Sequence, residues 1–234
     1  MLLNPILQFE IRFIPILNFP GAISEIITPF FSTGNAIRHD RDGTNNQPVI
    51  VIEYSDRQTE IQIRFDRILF KCNHDRKDWD MKNSFVEEPF LNLFQKLKTS
   101  PHFSKVLNIL YFGVFVYQAD SEKTLLEYTE SYSTKILTKK GKDVLQGFTD
   151  VATIFERKVE NKEESVTYAP YIGLNDIKKL GFNITDVSLA AKLSVPGEIF
   201  TYKCLQIKDK IDFSTFKELN STAQNLIAHQ WNHQ

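Results

Sequence analysis

Residues 59–72, TEIQIRFDRILFKC, carry the pattern on which the reading of this chain turns. From Thr59 to Asp66, Ile61, Ile63 and Phe65 fall on one side and Glu60, Gln62 and Arg64 on the other. From Arg67 to Cys72 the apolar side is carried on by Ile68, Phe70 and Cys72. Successive side chains of a strand point to opposite faces, so a period of two means one buried and one wetted face. Two such stretches in tandem predict an antiparallel sheet with one solvated side.

Upstream, Val49 to Tyr54 is an apolar run joined to this pair through Ser55–Gln58, which reads as a hairpin connection. The stretch 32–47 is rich in Gly, Asn and Asp and is expected to be a flexible loop. Before it, Pro20 to Phe31 has helical spacing through Ile23, Ile26, Ile27 and Phe30, with Pro29 ending or kinking the helix. Leu7 to Ile14 is a strand, with Phe9, Ile11 and Phe13 opposite Gln8, Glu10 and Arg12. Downstream, Asn73 to Asn83 is a charged connector carrying Trp79. Ser84 and Glu87 have capping-box spacing, and the helix they open uses Val86, Phe90, Leu93, Phe94 and Leu97 before stopping near Pro101.

The remainder repeats this order. Val106 to Tyr117 is a long apolar strand, and Asp120 or Ser121 caps a helix with Leu125, Thr129, Tyr132 and Ile136 on its stripe. Gly141 suits the end of that helix. Phe148–Lys158 and Ser165–Tyr171 form a hairpin around residues 160–163, followed by a helical turn at Asn175–Leu180. Val187, Leu189, Ala191, Leu193 and Val195 alternate as a strand, Pro196 and Gly197 turn the chain, and Ile199–Ile207 returns it. Thr215 and Glu218 make a second capping box, opening a helix that buries Phe216, Leu219, Ala223 and Leu226. The expected fold is therefore α+β, with two strand–helix–antiparallel strands–helix halves, 1–103 and 104–234, as two units or one continuous domain. Helices covering one face of mostly antiparallel sheets are the physical basis for this arrangement. The order resembles the TATA-binding-protein-like or helix-grip class.

Composition narrows the function classes. The chain has 234 residues, 42% hydrophobic and 24% charged, with 19 Phe and 8 Tyr. A chain of this size buries roughly 70% of its unfolded surface and needs no metal or disulfide. With 28 basic and 29 acidic residues its formal charge is −1, so no global field draws in nucleic acid or an anionic membrane. Lys139, Lys140 and Lys142 are the densest basic patch and read as a solvated turn. Cys72 and Cys204, the only cysteines, sit within strand patterns and read as small buried residues in a reducing compartment. The apolar start, Met1 to Phe31, lacks a basic leader and is broken by Glu10, Arg12 and prolines. No membrane span and a cytoplasmic location are expected.

Several constellations bear on chemistry. His229 and His233 stand four apart, one helical turn, but have no adjacent glutamate of the metallohydrolase type. Cys72, His74, Asp75, Asp78 and Asp80 form a mixed cluster without the second ligand pair that structural zinc requires. Arg38 to Gly43 faintly matches a calcium loop but lacks the closing glutamate, so a turn is expected. Asp150, Glu156 and Lys158 approximate a magnesium-nuclease set, but the first acid lies on the same strand as the other two, which is the wrong arrangement. Tyr111, Phe112, Phe115 and Tyr117 could stack bases, but they lack interleaved Arg or Lys and read as core. Asn183 and Asn220 match the glycosylation pattern without a secretion signal. No catalytic, cofactor-binding or metal-binding residue is assigned.

The opening Pro5 to Phe13, with its Phe-Glu-Ile-Arg-Phe run, and the segment Ile61 to Arg67 resemble a sporadically distributed prokaryotic family of about 250 residues. The similarity continues in the tryptophan connector and the capped helix after it. These are strand patterns, so the resemblance transfers no site residue. It implies a gene found in mobile or defence loci. The expected function is a non-catalytic interaction module, a subunit of a prokaryotic complex in a phage-defence or toxin–inhibitor setting, with a protein partner. The alternative is an enzyme or small-molecule binder with an aromatic-lined pocket between sheet and helix.

Overall fold

Alternation over residues 59–72 becomes a hairpin in which Ile61 lies opposite Phe70 and Ile63 opposite Ile68. The computed structural model describes residues 1–28, 36–41, 47–54, 59–72, 86–118, 125–139, 141, 151–171 and 173–231. In chain order the elements are β1 (Leu2–Phe13), α1 (Phe19–Ile27), β2 (Ala36–Arg41), β3 (Pro48–Tyr54), β4 (Thr59–Arg64) and β5 (Arg67–Cys72). A π-helical turn (Val86–Leu91) runs into α2 (Asn92–Lys98), followed by β6 (Val106–Tyr117) and α3 (Leu125–Ile136). Then come β7 (Thr153–Val159), β8 (Lys162–Tyr171), α4 (Leu174–Lys179), α5 (Val187–Lys192), β9 (Gly197–Gln206) and α6 (Phe213–Trp231).

Among the described residues the strands form one nine-stranded sheet in the order β2-β3-β4-β5-β1-β6-β9-β8-β7. Every pairing is antiparallel. The two 12-residue strands β1 and β6 are the centre, with Phe9 opposite Tyr111 and Ile11 opposite Ile109. From each central strand the chain crosses by a helix to the outer sheet and meanders back inward.

One face is covered by α1, α2, α3 and α6. Their Phe19, Ile23, Leu93, Phe94, Tyr132, Phe216 and Leu219 share a core with Phe9, Phe70, Tyr111 and Tyr202 of the sheet. The rings pack on one another, Phe9 to Phe216 at 4.5 Å and Phe9 to Tyr111 at 5.3 Å between centroids. On the opposite face, α4 and α5 cover one end only. There Ile177, Phe182, Leu189 and Leu193 pack on Ile6, Val114, Val116 and Ile199. Among the described residues no helix covers the other end, although Glu10, Leu69 and Leu110 there are buried.

Four expectations need correcting. Residues 36–41 are strand β2 rather than loop, so Arg38 to Arg41 form no turn. The outward positions of β2 are charged, and pairing with the apolar β3 outweighs their loop-like composition. Residues 187–192 are helix α5, not a strand, because Asp186 Oδ1 accepts from the Leu189 amide at 3.1 Å and caps it. Leu189 and Leu193, one helical turn apart, are buried while Val187 is 83% exposed. At α6 the cap is Asp212, which accepts from the Thr215 amide at 3.2 Å, three residues before the expected box. Ile227 is buried there, while Leu226 is 38% exposed. Ser84, Asp120 and Ser121, the other expected caps, lie outside the described residues.

Candidate functional site

Because register fixes which side chains share a face, the open end of the sheet can be read row by row. One row runs Arg64, Arg67, Arg12 across β4, β5 and β1. The next runs Leu69, Glu10, Leu110, Leu205, Glu163, Lys158 from β5 to β7. A third places Phe112, Lys203, Ser165 and Glu156 side by side.

Like charges directly opposite repel, so the arginine row needs an answer. Buried Glu10 supplies it: its Oε1 accepts from Arg12 Nε and Arg67 Nη1, both at 2.8 Å. Arg67 also grips Asp66 with two bonds of 3.0 and 2.9 Å, a fork that raises its pKa against the opposing effect of burial. Arg64 Nη2 donates to Gln62 at 3.0 Å.

Beside this row lies a groove of about 520 Å³, lined by Arg12, Leu110, Glu156, Arg157, Lys158, Glu163, Glu164, Ser165, Lys203 and Leu205. Leu110 and Leu205 make an apolar floor, and Arg12, Lys203, Lys158, Glu156 and Glu163 make walls of both signs, while the side chains of Arg157 and Glu164 turn to the other face. The floor belongs to the paired strands β6 and β9. Such a surface suits a polypeptide segment that carries apolar and oppositely charged side chains, rather than a compact anion or a flat ring.

Behind the groove, on the helix-covered face, Glu164 is held by Tyr202 Oη at 2.6 Å, Lys162 Nζ at 2.8 Å and Arg157 Nε at 2.8 Å. Burial pushes this carboxyl up, but the three donors overcome it and hold it at about 2. Burial raises the Tyr202 phenol, and the bond to Glu164 raises it further. Burial likewise raises the Cys204 thiol, which keeps it protonated and unreactive. Farther along, the Tyr111 hydroxyl donates to Asn220 Oδ1 at 3.0 Å.

Residues singled out in the sequence are placed as follows. Glu156 and Lys158 share the groove face of β7, while Asp150 lies outside the described residues. Cys72 is buried at the end of β5 and accepts from the Thr59 hydroxyl at 3.7 Å, whereas His74, Asp75, Asp78 and Asp80 lie outside the described residues. His229 is on α6, but its side chain and all of His233 lie outside them, as do Lys140 and Lys142. Lys139 is exposed. Tyr111 and Phe115 are core, and Phe112 stacks on Phe182 at 5.8 Å. Asn220 is 4% exposed and serves as the partner of Tyr111, so its place in a glycosylation pattern is incidental. Among the described residues no three His, Cys, Asp or Glu gather to hold a metal ion, and no helix is long and apolar enough to cross a membrane.

Arg12, Glu163, Ser165 and Lys203 carry no signal in the sequence that marks them as a group. Each is an outward residue of an alternating strand, and only the pairing register brings them together. Comparison of the chain with family models, with curated proteins and with solved structures returns no match.

Proposed function

We propose that this chain is a non-catalytic interaction module, a subunit of a prokaryotic complex, and that the groove on the open sheet face receives a segment of a protein partner. The observation that carries the reading is the apolar floor of Leu110 and Leu205 between walls of mixed charge. Charged rims of both signs select a complementary partner and penalise the wrong one. The resemblance of Pro5–Phe13 and Ile61–Arg67 to a sporadically distributed prokaryotic family supports a cytoplasmic phage-defence or toxin–inhibitor setting. The inward-running order of both halves about β1 and β6 supports placing the fold in the TATA-binding-protein-like or helix-grip class. An aromatic-lined ligand pocket between sheet and helices has less support, because the rings of Phe9, Phe70, Phe90 and Phe216 contact one another there.

The test is capture of the partner from the native host, followed by titration of the purified pair. Lys203→Glu reverses one wall without touching the core and is expected to weaken the complex at least ~10-fold. Steady turnover of nucleotide or nucleic acid by the purified chain alone, with no partner added, would remove the proposal.

A further inference from the structure

The two edges of the sheet are unlike. β2 shows Arg38, Asp40 and Arg41 to solvent, the charged dressing that keeps an edge from pairing. β7, the opposite edge, holds Ile154, Phe155 and Val159 in water at 62%, 57% and 54% exposure. Among the described residues its backbone pairs with β8 on one side only, so alternate amides and carbonyls turn outward.

Residues 155–159, Phe-Glu-Arg-Lys-Val, are their own complement when read antiparallel. Take a two-fold axis normal to the sheet, passing between two copies of Arg157. Phe155 of each copy then faces Val159 of the other, and Glu156 faces Lys158. Rotation about the normal keeps each side chain on its own face, so Phe155 and Val159 meet on the helix-covered side and Glu156 and Lys158 on the open side. The two neighbouring registers of the same symmetry are poorer: one sets Glu156 against Glu156, and the other, centred on Lys158, carries Phe155 and Glu156 past the end of β7 to residues 161 and 160. Arg157 tolerates the central position because Glu164 of its own copy already pairs with it.

We infer that β7 is a homodimerisation edge, joining two copies of this chain antiparallel about Arg157. The partner is a second copy because the strand supplies both halves of each cross-strand pair. The dimer sets two grooves side by side on one continuous open face. It stands on the free backbone edge of β7, whose Glu156 and Lys158 also line the groove, and a monomeric wild-type chain with a normally bound partner would sink this inference and leave the proposed function intact.

An edge-only contact is smaller than the ~800 Å² per partner of a standard interface, so association in the micromolar range is expected. Sedimentation equilibrium of the full chain reads it directly. Glu156→Lys turns both charge pairs repulsive and is expected to weaken the dimer ~10- to 100-fold, as is Lys158→Glu. In an equimolar mixture of the two variants, each lysine of one copy faces a glutamate of the other. Both pairs are then attractive again, and the mixture is expected to dimerise near wild-type strength. That rescue also shows both variants to be folded. Phe155→Asp removes the apolar pair, and no mixture with either charge variant restores it. A monomeric wild type at ~100 µM, single variants that associate as wild type does, or a mixture that stays monomeric would each overturn the inference.

Discussion

At Glu164, burial and hydrogen bonding pull the carboxyl in opposite directions, and the hydrogen bonds prevail. The group falls from its ordinary 4.5 to about 2. A carboxylate lowered on folding contributes stability above the unfolded value, and that contribution drains away as pH falls through the folded one. The sensitive window is therefore pH 4.5 down to about 2. Arg157 reaches solvent, with its side chain 66% exposed, so the share assigned to Glu164 is only ~1 kcal/mol after screening. Glu164→Gln should flatten the acid limb of stability across that window, measured as urea unfolding at stepped pH against wild type. An unchanged acid limb would show that the carboxylate is solvated and that its three donors contribute nothing net. Glu10 shows the other use of a buried acid, neutralising a row of arginines that strand register makes unavoidable. Neither role is legible in the sequence, where Glu10 is one outward carboxylate among many and Glu164 falls between the expected turn at 160–163 and the strand expected from Ser165.

For the elements, legibility depends on whether a local pattern has one physical meaning. Alternation over residues 59–72 admits only a half-buried strand, and the hairpin is there. Residues 187–195 admit two readings, because Val-Ser-Leu-Ala-Ala-Lys-Leu contains both a period of two and a Leu pair one helical turn apart. Asp186, whose carboxylate caps α5, decides between them. Helix α6 shows the same effect at smaller scale: Asp212 precedes Thr215 by the three residues a cap requires, and its pKa is lowered by the bonds from Ser214 and Thr215. Gly197 reads as a turn residue in the sequence, yet its requirement is space. A Cβ there would sit 2.2 Å from the Tyr117 carbonyl oxygen, where β9 begins alongside β6. Backbone cannot move aside as a side-chain tip can. Gly197→Ala should cost ~2–4 kcal/mol and loosen the start of β9, seen as a lowered unfolding midpoint and faster amide exchange at Ile199 and Phe200. A wild-type midpoint would mean that the two strands separate freely at that end.

For the whole molecule, the seam between the halves matters most. Sequence periodicity yields the strands of each half but says nothing about whether β1 pairs with β6, since a strand pattern does not name its neighbour. In the structure these two long strands run antiparallel through the sheet centre, and Phe9 sits at their crossing with the helix layer, against Tyr111 of β6 and Phe216 of α6. A fully buried phenylalanine shared by both halves couples their stabilities. Phe9→Ala should therefore cost ~3–5 kcal/mol, the usual sum of lost transfer energy and residual cavity. Its effect should not stay in the half that contains it. Amide protection at Ile61 and Ile63 in β4 should fall by the same factor as that at Tyr202 and Cys204 in β9, because opening the seam exposes both sheets together. Hydrogen exchange resolved by residue measures this. A loss confined to β4 and its neighbours would mean that residues 1–103 open alone and that the seam is a contact between two independent units.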